Sequence, residues 1–350
     1  MNFIKTMTFK NNKIRMKKLI GIVLFVLAIN FAYSQQMPQF SQYLRNQYMV
    51  NPGAAGVYGF TDITVSGRLQ WLGFTNAPVS SYASICAPIS KKPKTKYNPS
   101  LRMSTGPIVA PQVETGKFKH AVGGQLATDE YGAFRKISFS GTYAIHMPID
   151  RAGKYNVSFG TRIGLANNSF LQDRAVVLNP AADATYSGYI ADQSSQNIMN
   201  IGAGLYFYSS KLFFGVAADQ LTRNMVSFGT GTANFSPAIH ANITGGYKID
   251  ITSDLVLTPA FLVKYSSPSP FSIEGSIQAE YKQRFWMGVS YRNTDAIVGM
   301  VGLTISNMFK FGYSYDYSIS KFNKYSQGGH ELVLGIMLGR SPVAQSVPTL

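Results

Sequence analysis

Between Phe271 and Arg292 the chain alternates. Counting by twos from Phe271 gives Phe271, Ile273, Gly275, Ile277, Ala279 and Tyr281, with Ser272, Glu274, Ser276, Gln278 and Glu280 between them. Lys282 and Gln283 interrupt the pattern, and Phe285, Met287, Val289 and Tyr291 restore it. A period of two puts successive side chains on opposite faces of a strand, so the stretch predicts a β-hairpin with one apolar and one polar face. Aromatic residues end the apolar rows, at Phe271, Tyr281, Phe285 and Tyr291. Strands of about ten residues, apolar on one face, polar on the other and aromatic at the tips, are the pattern of a membrane-spanning β-barrel.

The same alternation runs through most of the chain. Ile63, Val65, Leu69 and Trp71 share one face, with Thr64, Ser66, Arg68 and Gln70 opposite. Further strands are predicted over 79–89, 119–128, 136–147, 155–165, 198–208, 212–219, 239–249 and 255–265. After the hairpin come 296–305, 308–319 and 331–338. The second of these has Phe309, Phe311, Tyr313, Tyr315 and Tyr317 on one face and Lys310, Gly312, Ser314, Asp316 and Ser318 on the other. The total is about fourteen, an even number as bacterial single-chain barrels require. No helical period competes.

A soluble sandwich also alternates. Two features favour the barrel. Arg68, Lys136, Arg162, Glu274, Glu280, Lys310 and Asp316 all fall on polar faces, where a spanning strand must put them, since an Arg or Lys facing mid-bilayer lipid costs about 2–4 kcal/mol. The strands are also about ten residues long, against five or six in most globular sheets. The predicted fold is therefore an all-β, antiparallel transmembrane barrel, preceded by a lead that is not strand-like.

Export fits this. Lys13, Arg15, Lys17 and Lys18 precede an apolar run from Leu19 to Ala28, and Ala32-Tyr33-Ser34 is a small-x-small cleavage site. Residues 1–34 form a predicted signal peptide, with Gln35 as the mature start. Removing its six basic residues lowers the formal charge from +16 to +10. In an exported chain that balance suits anionic lipid or an acidic protein partner, not nucleic acid. The single cysteine, Cys86, excludes an intramolecular disulfide. The remaining divisions are a periplasmic or luminal segment over 35–59, the outer-membrane barrel over 60–339 and a tail over 340–350.

With the C-terminus periplasmic, 282–283, 306–307, 209–210 and 148–153 are short periplasmic turns, while 167–197, 220–236 and 320–330 are long outer loops. The exception is 90–118. It is long, falls on the periplasmic side and carries Lys91, Lys92, Lys94 and Lys96. It is expected to be a docking loop, a lumen plug or a sign that the strand count shifts there.

Motifs at both ends carry a resemblance. Gln36-Met37-Pro38-Gln39-Phe40-Ser41-Gln42-Tyr43, followed by Asn51-Pro52-Gly53-Ala54-Ala55-Gly56, resembles the opening of the PorP/SprF family. Gly312-Tyr313-Ser314-Tyr315-Asp316-Tyr317-Ser318-Ile319-Ser320, with Gly328-Gly329-His330-Glu331, is similar to its closing motif. Gly202-Ala203-Gly204-Leu205-Tyr206-Phe207-Tyr208 also fits. The resemblance covers nearly all of the mature chain. It implies an outer-membrane accessory of the type IX secretion system that binds or anchors an exported surface protein, of the gliding adhesin type with a C-terminal sorting domain, and that contacts periplasmic ring lipoproteins. The matched positions are Pro38, Phe40, Ser41, Gln42, Tyr43, Asn51, Pro52, Tyr315, Asp316, Gly329, His330 and Glu331, with structural or partner-binding roles. Two features depart from the family pattern: the Lys-rich stretch from about Lys91 to Lys119, and a tail beyond the last strand.

No catalytic constellation, cofactor motif or metal motif stands out. His146 and His240 lie on polar faces and could meet in the lumen, where a hydrolase would need a Ser–His pair. Asp129-Glu130 and Asp183 with Asp192 are candidate calcium ligands in outer loops, though no spaced ligand loop is present. The glycines at 202, 204, 245 and 246 suit close packing or bends in the barrel wall. Beside the accessory reading stand a small-solute channel, suggested by the polar inner rows, and an enzyme, resting on the two histidines.

Overall fold

The computed structural model describes residues 39–89, 118–191, 195–222, 227–228, 238–266 and 271–340. Its wall is built of β1 (Thr61–Leu69), β2 (Val79–Ile89), β3 (Lys119–Tyr131), β4 (Phe134–Pro148), β5 (Asn156–Phe170), β6 (Ser195–Tyr208) and β7 (Leu212–Asp219). It continues through β8 (His240–Tyr247), β9 (Leu255–Ser266), β10 (Ser272–Tyr281), β11 (Phe285–Arg292), β12 (Ala296–Ile305), β13 (Phe309–Ser318) and β14 (Gly329–Leu338). Each strand pairs antiparallel with the next, and β14 pairs with β1, Thr61 opposite Leu338 and Leu69 opposite His330. The meander therefore closes into a barrel of fourteen strands, and closure satisfies the backbone of every spanning strand, which the bilayer demands. The two-residue segments Ser227–Phe228 and Ile249–Asp250 extend the ladder beside β6 and β9.

Alternation sets which face looks where. In β11, Phe285, Met287, Val289 and Tyr291 are exposed while Trp286, Gly288, Ser290 and Arg292 are buried. β14 repeats this, with Leu332, Leu334, Ile336 and Leu338 outward and Glu331 and Val333 inward. The exposed apolar band is the lipid face and the buried polar rows are the lumen. Arg68, Arg162, Glu274 and Asp316 are all buried inside, as the polar rows predict. Cys86 is buried on the same side. The turns at Lys282-Gln283 and Ser306-Asn307 place both central residues at positive φ, as in type I′ hairpin turns, without a glycine.

Strand directions put 149–155, 209–211, 248–254, 282–284 and 306–308 at the end that also carries the C-terminus, together with the strand ends that flank 90–118, and put 70–78, 171–194, 220–239 and 319–328 at the other. By the loop-length rule the first is the periplasmic end. At that end the Tyr155 backbone N–H, 2.8 Å from Asp150 Oδ1, holds the Asp150 carboxyl below its ordinary range.

Two local expectations are corrected. β1 stops at Leu69, and Trp71 adopts a φ of 51°, so it does not share the strand face. The loop predicted over 167–197 is shorter, because β5 runs on to Phe170 and β6 starts at Ser195. Polar residues there (Asn167, Asn168, Gln196 and Asn197) continue the ladder past the apolar band, where water replaces lipid. A helix, Ala184–Ala191, packs Tyr189 on Phe170 within this connection. The signal peptide, the Lys-rich stretch over 90–117 and the tail over 341–350 lie outside the described residues.

Candidate functional site

The lumen is filled by the chain's own N-terminal lead. Residues 41–48 and 51–55 are buried although they belong to no strand. They form three short turns, Tyr43–Arg45, Gln47–Val50 and Pro52–Ala54, and reach the wall on all sides. Of the two places open to the lead, beneath the barrel or inside it, these residues occupy the second.

The first part of the lead, from Gln39 to Arg45, is held by charge. Asp316 of β13 accepts from Ser41 Oγ at 2.8 Å and pairs with Arg68 of β1 at 2.5 Å. Glu331 of β14 accepts from the Ser41 backbone N–H at 2.6 Å. Arg292 of β11 donates to Ser41 Oγ at 3.2 Å and pairs with Glu274 of β10 at 2.9 Å and Asp295 at 3.1 Å. Arg292 is 1% exposed. Charges this deep persist only when paired and hydrogen-bonded. Gln42 Nε2 donates to the Glu331 carbonyl, and Arg68 donates to the Gln39 carbonyl. Arg45 pairs with Glu280 at 3.2 Å and lies over the Trp286 ring at 4.3 Å, while Lys310 reaches both the Arg45 carbonyl and Asp62.

The second part is held by close packing. Asn51 Nδ2 donates to the carbonyls of Leu205 in β6 and Val216 in β7, at 2.9 and 3.3 Å, and Asn51 Oδ1 accepts from the Gly53 N–H at 2.8 Å. Pro52 and Gly53 then lie directly on the wall. Gly160 of β5 stands opposite Gly204 of β6. A Cβ at Gly160 would fall on the Pro52 carbonyl, and one at Gly204 on the Asn51 carboxamide. Ser158 Oγ donates to the Gly53 carbonyl, and Asn242 Nδ2 of β8 to the Val50 carbonyl at 3.1 Å. Between the two parts, Arg162 of β5 donates to the Tyr48 carbonyl at 2.6 Å and pairs with Asp219, and Tyr48 donates its hydroxyl to Thr142 at 2.9 Å.

The positions named from the terminal motifs thus meet in space. Ser41 and Gln42 touch Asp316 and Glu331, and Tyr43 shares a hydrogen bond with Ser276 at 3.0 Å. Phe40 packs edge-on to Tyr82 at 4.6 Å. Asn51 and Pro52 sit on β5–β7. Gly329 pairs with Asp316 across the β13–β14 ladder. Tyr315 and His330 are different. They lie opposite one another on the outer face, where Tyr313 shares a 2.7 Å hydrogen bond with His330 Nδ1. Pro38 lies outside the described residues. Arg292, which joins the lead to β10 and β13, was not singled out by its sequence.

His146 and His240 do not meet. β4 and β8 both run from the outer to the periplasmic end, so His146, near the end of β4, and His240, first in β8, lie at opposite ends of the lumen. His146 binds the Ala55 carbonyl and Tyr208, at 2.8 and 3.0 Å. Asp129 accepts from Ser80, and Glu130 pairs with Arg135 and Arg174. Among the described residues no group of three metal-ligating side chains is present. What the arrangement does chemically is hold a segment of chain in a polar, largely filled lumen.

A family model described as type IX secretion system membrane protein PorP/SprF matches residues 32–336. The chain belongs to this family. It is accordingly an outer-membrane barrel of the type IX secretion apparatus. Comparison with curated protein sequences returns no match. Among solved structures, the toluene transporter TbuX of Ralstonia pickettii is 10% identical, with a TM-score of 0.47 over 84% of this chain and 93% of its own. The toluene transporter TodX of Pseudomonas putida is 8% identical, with a TM-score of 0.45 over 87% and 94%. Omp33 of Acinetobacter baumannii is 8% identical, with a TM-score of 0.39 over 80% and 97%. The PorP/SprF assignment rests on the family match.

Proposed function

We propose that this PorP/SprF protein is an anchor. It binds an exported surface protein of the gliding adhesin type through that protein's C-terminal sorting domain, and its periplasmic end contacts ring lipoprotein subunits. The observation that carries this reading is the filled lumen. A barrel whose interior is wired to its own N-terminal lead by hydrogen bonds from buried, ion-paired side chains is built to present two ends to partners, and has little room for a moving polypeptide. A separate translocon then moves the substrate. Deleting the gene is expected to leave the adhesin off the cell surface, and pull-down of the tagged protein from solubilised outer membranes is expected to bring adhesin or ring subunits in near-equal amounts. Normal surface display in the deletion strain overturns the reading.

The runner-up, a small-solute channel, makes the opposite demand on the lumen. In planar bilayers the intact protein is expected to be electrically silent, while a variant lacking residues 39–57 conducts. Stable conductance by the intact protein would favour the channel.

A further inference from the structure

The lead does not fill the lumen completely. A cavity of about 140 Å³ lies on the outer side of the lead, between Phe40, Tyr43, Met49 and Val50 and the outer ends of the surrounding strands. An engineered protein cavity on the order of 150 Å³ accepts benzene, so the space suits one aromatic or branched apolar group.

Its polar wall is unbalanced. Three of its cations differ in how they are matched. Arg162 is taken up by Asp219 and the Tyr48 carbonyl. Lys136 has Asp129 and Asp219 as charged neighbours. Lys264 makes no hydrogen bond or ion pair among the described residues, and the acid that acts on it most strongly, Glu274, is engaged by Arg292 at 2.9 Å. Beside it stands an orphaned donor. With the Gln220 carboxamide oriented to satisfy both its ends, its oxygen accepts from Lys136 Nζ at 2.8 Å and its nitrogen donates to His240 Nε2 at 3.1 Å. That fixes the neutral imidazole proton on Nδ1, and His240 Nδ1 is buried without a partner. His240 is 8% exposed. In the β8–β9 ladder His240 faces Ser266 and Asn242 faces Lys264, so the two donors are luminal diagonal neighbours, with Cα atoms about 7–8 Å apart.

We infer that this cavity binds a carboxylate carried on an apolar stem, the carboxylate between Lys264 and His240 and the stem against Phe40, Tyr43 and Val50. The inference does not depend on the anchor reading. A free aryl or branched acid and the C-terminal residue of a polypeptide carry the same chemistry.

The test uses the full-length protein in detergent and isothermal titration calorimetry. N-acetyl-phenylalanine is expected to bind and its C-terminal amide to bind about tenfold more weakly or not at all, because the charge-assisted bonds are lost. Lys264→Met is expected to cost about tenfold for the acid and little for the amide, and Lys264→Arg to restore most of the affinity. A heat-sensitive mobility shift on gels confirms that each variant is a folded barrel. Tighter binding of a hexapeptide ending in phenylalanine points to a chain end as the source, and tighter binding of 3-phenylpropionate to a free acid. No binding of any acid, equal binding of acid and amide, or an unaltered Lys264→Met in a folded barrel overturns the site.

Discussion

The two halves of the luminal lead are gripped by different physics. From Gln39 to Arg45 the wall offers charge: Arg68, Arg292, Asp316 and Glu331 are buried and reach toward a chain that supplies mostly Ser41 and backbone. From Asn51 to Gly53 the wall offers absence: Gly160 withholds a side chain so that the Pro52–Gly53 backbone can lie on it, and Gly204 does the same for the Asn51 carboxamide and the Pro52 ring. The charged grip tolerates small shifts of position but not the loss of a partner. The glycine grip has the opposite sensitivity, since it needs no particular charge but has no space for a methyl group. One barrel thereby orders a segment that lacks any regular structure long enough to stabilise itself.

Asp316→Ala is the harshest test of the charged half. It removes the carboxylate that Arg68 pairs with and an acceptor for Ser41. Breaking one side of a buried pair costs about 3–5 kcal/mol, because the remaining charge is stranded. Denaturant unfolding in lipid vesicles is expected to show a loss of that size, with the lead becoming sensitive to protease. A loss below about 1 kcal/mol, the scale of an exposed ion pair, would mean that water reaches Arg68 and that the grip is not electrostatic.

Gly160→Val tests the other half. Its side chain would occupy the position of the Pro52 carbonyl, and overpacking of this kind costs about 1–3 kcal/mol. Gly141→Ala is the control, because a Cβ there meets nothing within 4 Å, and its effect is expected to stay within about 0.5 kcal/mol. Equal effects at the two glycines would dissolve the distinction. Asn51→Ala is milder. It removes the cap on Gly53 and the two bonds to β6 and β7, for about 0.5–2 kcal/mol.

The wall was legible in the sequence and the grip was not. Alternation reports a local property, the two faces of one strand, and it placed β10, β11 and β13 within a residue or so. It also put Arg68 and Asp316 inside. It could not say what they meet there, because Arg292 and Ser41 lie 251 positions apart and share no periodicity. The glycines at 202 and 204 were recognisable as close-packing positions, and Gly204 does take the lead's Asn51 carboxamide and Pro52 ring, but Gly160 carried no signal beyond its place in a strand. The histidines fell to a different cause. Their inward faces follow from alternation, but their depth depends on strand direction. Counting strands from the N-terminus would have put His146 and His240 at opposite ends.

The smallest expected effect is the most informative about the lead as a body. If the charged and glycine grips act independently, Asp316→Ala and Gly160→Val in one chain should add, with a coupling no larger than about 0.5 kcal/mol, as distant sites without shared partners do. The described contacts favour this. Asp316 meets the lead at Ser41 and Gly160 meets it at Pro52, with Arg162 holding Tyr48 and Met49 between them. A double variant much less destabilised than the sum would instead mean that the lead leaves the lumen as one piece, so that losing either grip already forfeits both. Arg162 would then be transmitting strain instead of isolating it, and Arg162→Met would be expected to restore additivity.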